Sequence, residues 1–211
     1  MIPGKAIPNI ITVARIALCP VIFVLIFVPT FTARFIAWIL FLIAAFSDLF
    51  DGHLARKHGW ISDFGKLVDP IADKLLLVST FIPFYVLSNR DPTDNALPVI
   101  TTLPLWIVIV VFGRELFVTL FRSYAARRGV VIAAGSAGKH KAVWQNIFIG
   151  AAIFWFALTS AARANGWSGS AWTWWQRLHT FVLLVSLVVA VFLTVYSMVV
   201  YIRSWSRLRL Q

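Results

Sequence analysis

The sequence predicts an all-α integral membrane protein with six transmembrane helices. Hydrophobic residues make up 60% of the 211 positions, with a mean hydropathy of +0.85, more than a soluble domain of this length can bury. Six apolar stretches are long enough, alone or with a partly polar end, to cross a bilayer. Between the second and third lies a short acid-rich window. The length suits a single domain over 1–211, with no soluble domain, low-complexity tract or repeat left over.

The first span, residues 10–29, is interrupted by Arg15. It follows Lys5 and has no small-residue cleavage site after it, so it reads as a retained helix. The second, third and fourth (35–55, 66–87 and 97–122) carry charges at one end, and those ends should face protein or water. The fifth and sixth (143–162 and 178–203) are the clearest, each close to the roughly twenty apolar residues that match the hydrocarbon core. Ten tryptophans fit interfacial belts, above all Trp167, Trp172, Trp174 and Trp175. Cys19 is the single cysteine, which rules out an intramolecular disulfide.

The net charge of +11 would suggest nucleic acid for a soluble protein. In a membrane protein it reports topology and anionic headgroups instead. Six spans place both termini on one side. Fifteen basic residues, including Arg15, Arg56, Lys74, Arg114, Arg127, Arg128, Arg207 and Arg209, gather there, against Arg34, Arg90, Arg163 and Arg177 on the other. The basic side is therefore expected to be the cytosolic face of the cytoplasmic (inner) membrane, and it also receives the acids.

Those acids are Asp48, Asp51, Asp69 and Asp73, within DLFDGHLARKHGWISDFGKLVDPIAD over residues 48–73. A charge at mid-bilayer costs at least ~3 kcal/mol, so clustered carboxylates there mark a functional site by default. Asp48 and Asp51 (i, i+3) share one helix face, and Asp69 and Asp73 (i, i+4) share another. The polar stretch between them contains Gly59, which suits a tight link between two antiparallel helices whose carboxylates converge. Such a set of hard oxygens suits Mg²⁺ or Mn²⁺ better than zinc, and four of them can hold two ions for phosphoryl transfer. An ionic network with Arg56, Lys66 and Lys74 is the structural alternative. An EF-hand fails on spacing. Asp63 reads as a loop residue or cap, and His53, His58, His140 and His179 show no metal-type pairing. Gly52 and Ala55, with Gly65 on the facing helix, leave room for a nucleotide near the backbone, and Arg56 can pair with a phosphate.

The pattern Asp48-x2-Asp51-Gly52-x2-Ala55-Arg56-x8-Gly65-x3-Asp69-x3-Asp73 resembles the CDP-alcohol phosphotransferase signature at all eight fixed positions and every spacing. That resemblance implies a six-helix membrane bundle, usually a homodimer, with a cytosol-facing site. It also implies transfer of a phosphatidyl-type group from a CDP-linked donor to an alcohol, releasing CMP, with Mg²⁺ or Mn²⁺ (two ions). It assigns the metals to Asp48, Asp51, Asp69 and Asp73, the general base to Asp73, and the cytidine nucleotide to Gly52, Ala55, Arg56 and Gly65.

Within the family, Ile7-Pro8-Asn9-Ile10-Ile11-Thr12-x2-Arg15, the run Leu67–Lys74, Arg114-Glu115 and Gly138-Lys139-x-Lys141-x3-Gln145 look like phosphatidylglycerophosphate synthases. Ala142 departs from the threonine common there. The implied substrates are CDP-diacylglycerol and glycerol 3-phosphate, and Arg114, Arg122, Lys139, Lys141 and Arg203 are the candidate cations for the acceptor phosphate. A cardiolipin synthase using phosphatidylglycerol is the nearest rival. Membrane prenyltransferases keep their Asp motifs far apart in sequence. A cation transporter would show repeats and helix breaks in both halves, and neither is visible here.

Overall fold

Polarity runs inward in this molecule. Arg15 and Arg34 are each 1% exposed, while Leu67, Phe192 and Phe181 on the outer surface are 63–70% exposed. That is the arrangement expected when the surroundings are lipid and every polar group must find an internal partner. In the computed structural model, residues 7–58, 60, 63–98, 100–128 and 136–208 are described, with side chains at all of these except 7, 48–58, 63, 66, 136, 137, 139 and 204–208.

Among the described residues the chain forms six helices and no strand: α1 Ile7–Phe27, α2 Phe31–His58, α3 Asp63–Arg90, α4 Leu105–Arg127, α5 Ser136–Ala164 and α6 Ser170–Leu208. Four of them hold segments long and apolar enough to cross a membrane: Pro8–Phe27, Leu67–Arg90, His140–Ala164 and Ser170–Arg203. The apolar part of α2, Phe31–Ser47, is shorter and ends where the acidic window begins. At 39 residues, α6 extends well past a hydrocarbon core of ~30 Å, since a helix rises ~1.5 Å per residue. Its tryptophan-rich start and basic end therefore lie outside the core. The protein is an integral membrane protein.

Helix α1 packs along both α2 and α3; α5 packs along α2 and α6; α6 packs along α4; α3 touches α4 and α5 more lightly. The core includes the rings of Phe81, Phe84, Phe148 and Phe156, with centroids 5.7–6.3 Å apart. Hydroxyls inside the bundle bond back to their own helices, as Thr80 does to the Leu76 carbonyl and Thr194 to that of Ala190. These local bonds satisfy groups that lipid cannot.

At the end of the bundle away from the acids, Arg34 ties four elements together. Its guanidinium donates to the carbonyls of Ile26 and Phe156, to Ser160 Oγ and to Asn95 Oδ1.

One expectation changes. The fourth helix begins at Leu105 rather than near residue 97. Pro98 and Pro104 interrupt that stretch, Leu97 and Thr101 form an antiparallel bridge, and Pro104 caps α4 in an extended conformation. Helix α1 packs along both helices that bear the acid pairs and contributes side chains to the site. The connecting residues Gly59, Ile61 and Ser62 lie outside the described residues.

Candidate active site

The window 48–73 occupies the end of α2 and the start of α3. Asp69 and Asp73 stand one turn apart on α3, with Pro70 between them. Proline cannot donate to the carbonyl four residues back, so one intrahelical hydrogen bond is missing beside the acids.

Each of these acids is held by a side chain from α1. Thr12 Oγ1 donates to Asp69 Oδ1 at 2.8 Å, and Arg15 Nη1 donates to Asp73 Oδ1 at 3.1 Å. The Arg15 side chain is fully buried, whereas that of Asp73 is 59% exposed. A cation rooted in the bundle thus fixes a carboxylate that opens outward. Thr12 and Arg15 lie three residues apart and share one face of α1, which aligns them with the i, i+4 acids opposite. Asp48 and Asp51 lie on the continuous helix α2, but their side chains are outside the described residues, as are those of Gly52, Ala55 and Arg56. Gly65 lies in the first turn of α3, one turn before Asp69.

Beside Asp73 opens a polar cavity of about 120 Å³ between α1, α2, α3, α4 and α5. Arg15, Asp73, Lys74, Glu115, Lys141 and Gln145 supply its polar wall, and Ala45, Leu76, Leu77 and Ile149 its floor. Glu115 accepts hydrogen bonds from both Arg114 Nη1, at 3.0 Å, and Lys141 Nζ. Arg114, only 7% exposed, also donates to Ser197 Oγ and lies over the Tyr201 ring. Gly138, at the start of α5, lies beside it: a Cβ there would sit 3.5 Å from Arg114 Nη2, in ordinary van der Waals contact.

Of the cations expected to receive an acceptor phosphate, Lys141 lines the cavity and Arg114 stands behind it through Glu115. Arg122 is exposed two turns farther along α4, Arg203 is exposed near the end of α6, and the Lys139 side chain is outside the described residues. The sequence reading gave no site role to Thr12, Arg15, Glu115 or Gln145. The signals were present, though: a cation inside the first apolar span, an acid next to Arg114, and a glutamine one turn after Lys141.

A second cavity of about 590 Å³ lies between α2 and α5, lined mainly by apolar side chains including Trp38, Phe41, Phe46, Ile147 and Phe154. It shares Ala45, Ala142 and Asn146 with the polar cavity, so the two adjoin. Gly150 keeps this wall open; a Cβ there would meet the Phe41 ring at 3.4 Å.

Residues 5–206 match the profile of the CDP-alcohol phosphatidyltransferase family. The chain belongs to this family. Among the relatives of this CDP-alcohol phosphatidyltransferase is a probable phosphatidylglycerophosphate synthase of Mycobacterium tuberculosis H37Rv. It is 36% identical over 156 residues, covering 71% of this chain and 68% of the relative. The CDP-diacylglycerol–glycerol-3-phosphate 3-phosphatidyltransferase of Bacillus subtilis strain 168 is 36% identical over 159 residues, covering 70% and 75% of the two chains. The protein of that name from Rickettsia typhi is 34% identical over 141 residues, covering 67% and 72%.

The CDP-alcohol phosphatidyltransferases generally depend on a divalent metal. The donor set here fits that requirement. Asp69 and Asp73 present carboxylate oxygens one turn apart, each steadied by a hydrogen bond from α1, as hard divalent cations prefer. Among the described residues no group of three acids, histidines or cysteines gathers, and the side chains of Asp48 and Asp51, the other two members of the expected set, fall outside them.

Proposed function

We propose that this enzyme transfers the phosphatidyl group of CDP-diacylglycerol to glycerol 3-phosphate, giving phosphatidylglycerophosphate and CMP. The observation that carries this reading is the small polar cavity beside Asp73. It admits a compact alcohol, its wall bears Arg15, Lys74 and Lys141 for an anionic one, and it adjoins an apolar cavity fit for acyl chains. The names of the Bacillus subtilis and Rickettsia typhi relatives support the same pair of substrates.

Asp73 takes the proton of the acceptor hydroxyl as that oxygen attacks the lipid-side phosphorus. The bond from this phosphorus to the CMP oxygen breaks, and CMP leaves with the electron pair. Two divalent ions, Mg²⁺ or Mn²⁺, bound by Asp48, Asp51, Asp69 and Asp73 would neutralise the pyrophosphate. Gly52, Ala55, Arg56 and Gly65 receive the cytidine nucleotide. Arg114, Arg122, Lys139, Lys141 and Arg203 supply the positive field for the acceptor phosphate. The diacyl tail of the donor runs into the cavity between α2 and α5. The 211 residues act as one catalytic unit in the cytoplasmic membrane, with site and termini cytosolic, as a homodimer.

Incubation of the purified protein with CDP-diacylglycerol and carbon-13-labelled glycerol 3-phosphate, followed by mass spectrometry of the lipid extract, tests the assignment. Labelled phosphatidylglycerophosphate is the expected product. Label absent from lipid, with cardiolipin formed instead when phosphatidylglycerol is supplied, would replace the acceptor.

A further inference from the structure

Gln145 stands on α5 one turn after Lys141 and lines the polar cavity. It is 5% exposed, and its Oε1 is buried with no hydrogen-bond partner among the described residues. A buried amide oxygen left in this state is costly, and its persistence at a cavity wall points to a ligand that completes it. The nearby charges do not: Lys141 and Arg114 are both turned to Glu115.

The chemistry of the missing partner is restricted. The carbonyl end of an amide needs a donor, and a phosphate offers chiefly acceptors. An alcohol hydroxyl offers both, so it satisfies this amide whichever way round its oxygen and nitrogen stand. Asp73, on α3, faces the same cavity and deals with the reacting hydroxyl. A second hydroxyl on the adjacent carbon is then the donor left for Gln145, which lines the same cavity from α5.

We infer that Gln145 reads the non-reacting hydroxyl of the acceptor, and so makes the enzyme selective for vicinal diols over simple alcohols bearing the same phosphate. This rests on the acceptor proposed above, in which that group is the central hydroxyl of glycerol 3-phosphate.

The test compares CMP release by the full-length enzyme with glycerol 3-phosphate and with 3-hydroxypropyl phosphate, which lacks the central hydroxyl. A site that hydrogen-bonds a hydroxyl rejects the analogue without it, and one neutral amide should give a preference of about 10- to 100-fold in kcat/KM for the wild type. In Gln145→Leu and in the size-matched Gln145→Met, kcat/KM for glycerol 3-phosphate should fall by about that factor, while that for 3-hydroxypropyl phosphate shifts less than about threefold, so the preference collapses. The KM for the CDP donor and the melting temperature report folding of each variant.

Equal losses with both acceptors would overturn the inference, because Gln145 would then serve the phosphate or the helix packing. A wild type that does not distinguish the two acceptors overturns it without any variant. Wild-type protein that releases CMP with neither acceptor overturns the acceptor assignment itself.

Discussion

At the scale of single residues, the distinctive feature is that α1 holds the acids of α3. Thr12 and Arg15 each reach one carboxylate oxygen, fixing the rotamers of Asp69 and Asp73. If Asp73 takes the acceptor proton, Asp73→Asn should lower kcat by about 10²- to 10⁴-fold while CDP-diacylglycerol still binds, since a general base contributes about that much. Calorimetric donor binding beside CMP-release kinetics checks this, and retained turnover would remove the base role. If Asp69 is a metal ligand, Thr12→Val should weaken Mn²⁺ binding by roughly tenfold through the loss of its orienting bond. Electron paramagnetic resonance titration of Mn²⁺ measures that without turnover. The carboxylates were legible in the sequence because charge in an apolar setting is conspicuous. Their partners were not, because Thr12 and Asp69 are separated by 57 residues and nothing in local spacing announces such a contact.

Helix by helix, hydropathy located the bundle well where a span is uniformly apolar, as in α1, α5 and α6. It misplaced the start of α4. The stretch from Leu97 is apolar enough to read as helix, but Pro98 and Pro104 interrupt it, and the chain turns through the Leu97–Thr101 bridge before α4 begins. Cavities between helices are equally hidden, because they depend on which small residues end up opposite large ones. Gly150 facing Phe41 is such a pair. A leucine at position 150 would fill part of the apolar cavity. Gly150→Leu should therefore raise the KM for long-chain CDP-diacylglycerol several-fold, and raise it much less for a short-chain donor, with the KM for glycerol 3-phosphate little changed. Equal effects on long and short donors would place the acyl chains elsewhere.

For the whole molecule, the asymmetry of basic residues and the inward polarity describe a bundle with two unlike ends. One end is tied by Arg34 and Asn95, with Asp94 and Arg163 paired on its surface. The other carries the acids, the polar cavity and the basic ends of α4 and α6. In a Cys19→Ser background, Asp94→Cys should react with a membrane-impermeant maleimide in intact cells, and Arg127→Cys should react only after permeabilisation. The reverse pattern would invert the protein and put its chemistry outside the cell.

The central claim is that the cavity beside Asp73 presents a small phosphorylated alcohol to a CDP-linked lipid. Its most direct measurement is CMP release by the purified protein with CDP-diacylglycerol and Mg²⁺ or Mn²⁺, with and without glycerol 3-phosphate. Release that requires glycerol 3-phosphate and stops on chelation is the predicted result. Release triggered by phosphatidylglycerol alone, or no release with any alcohol, would contradict it.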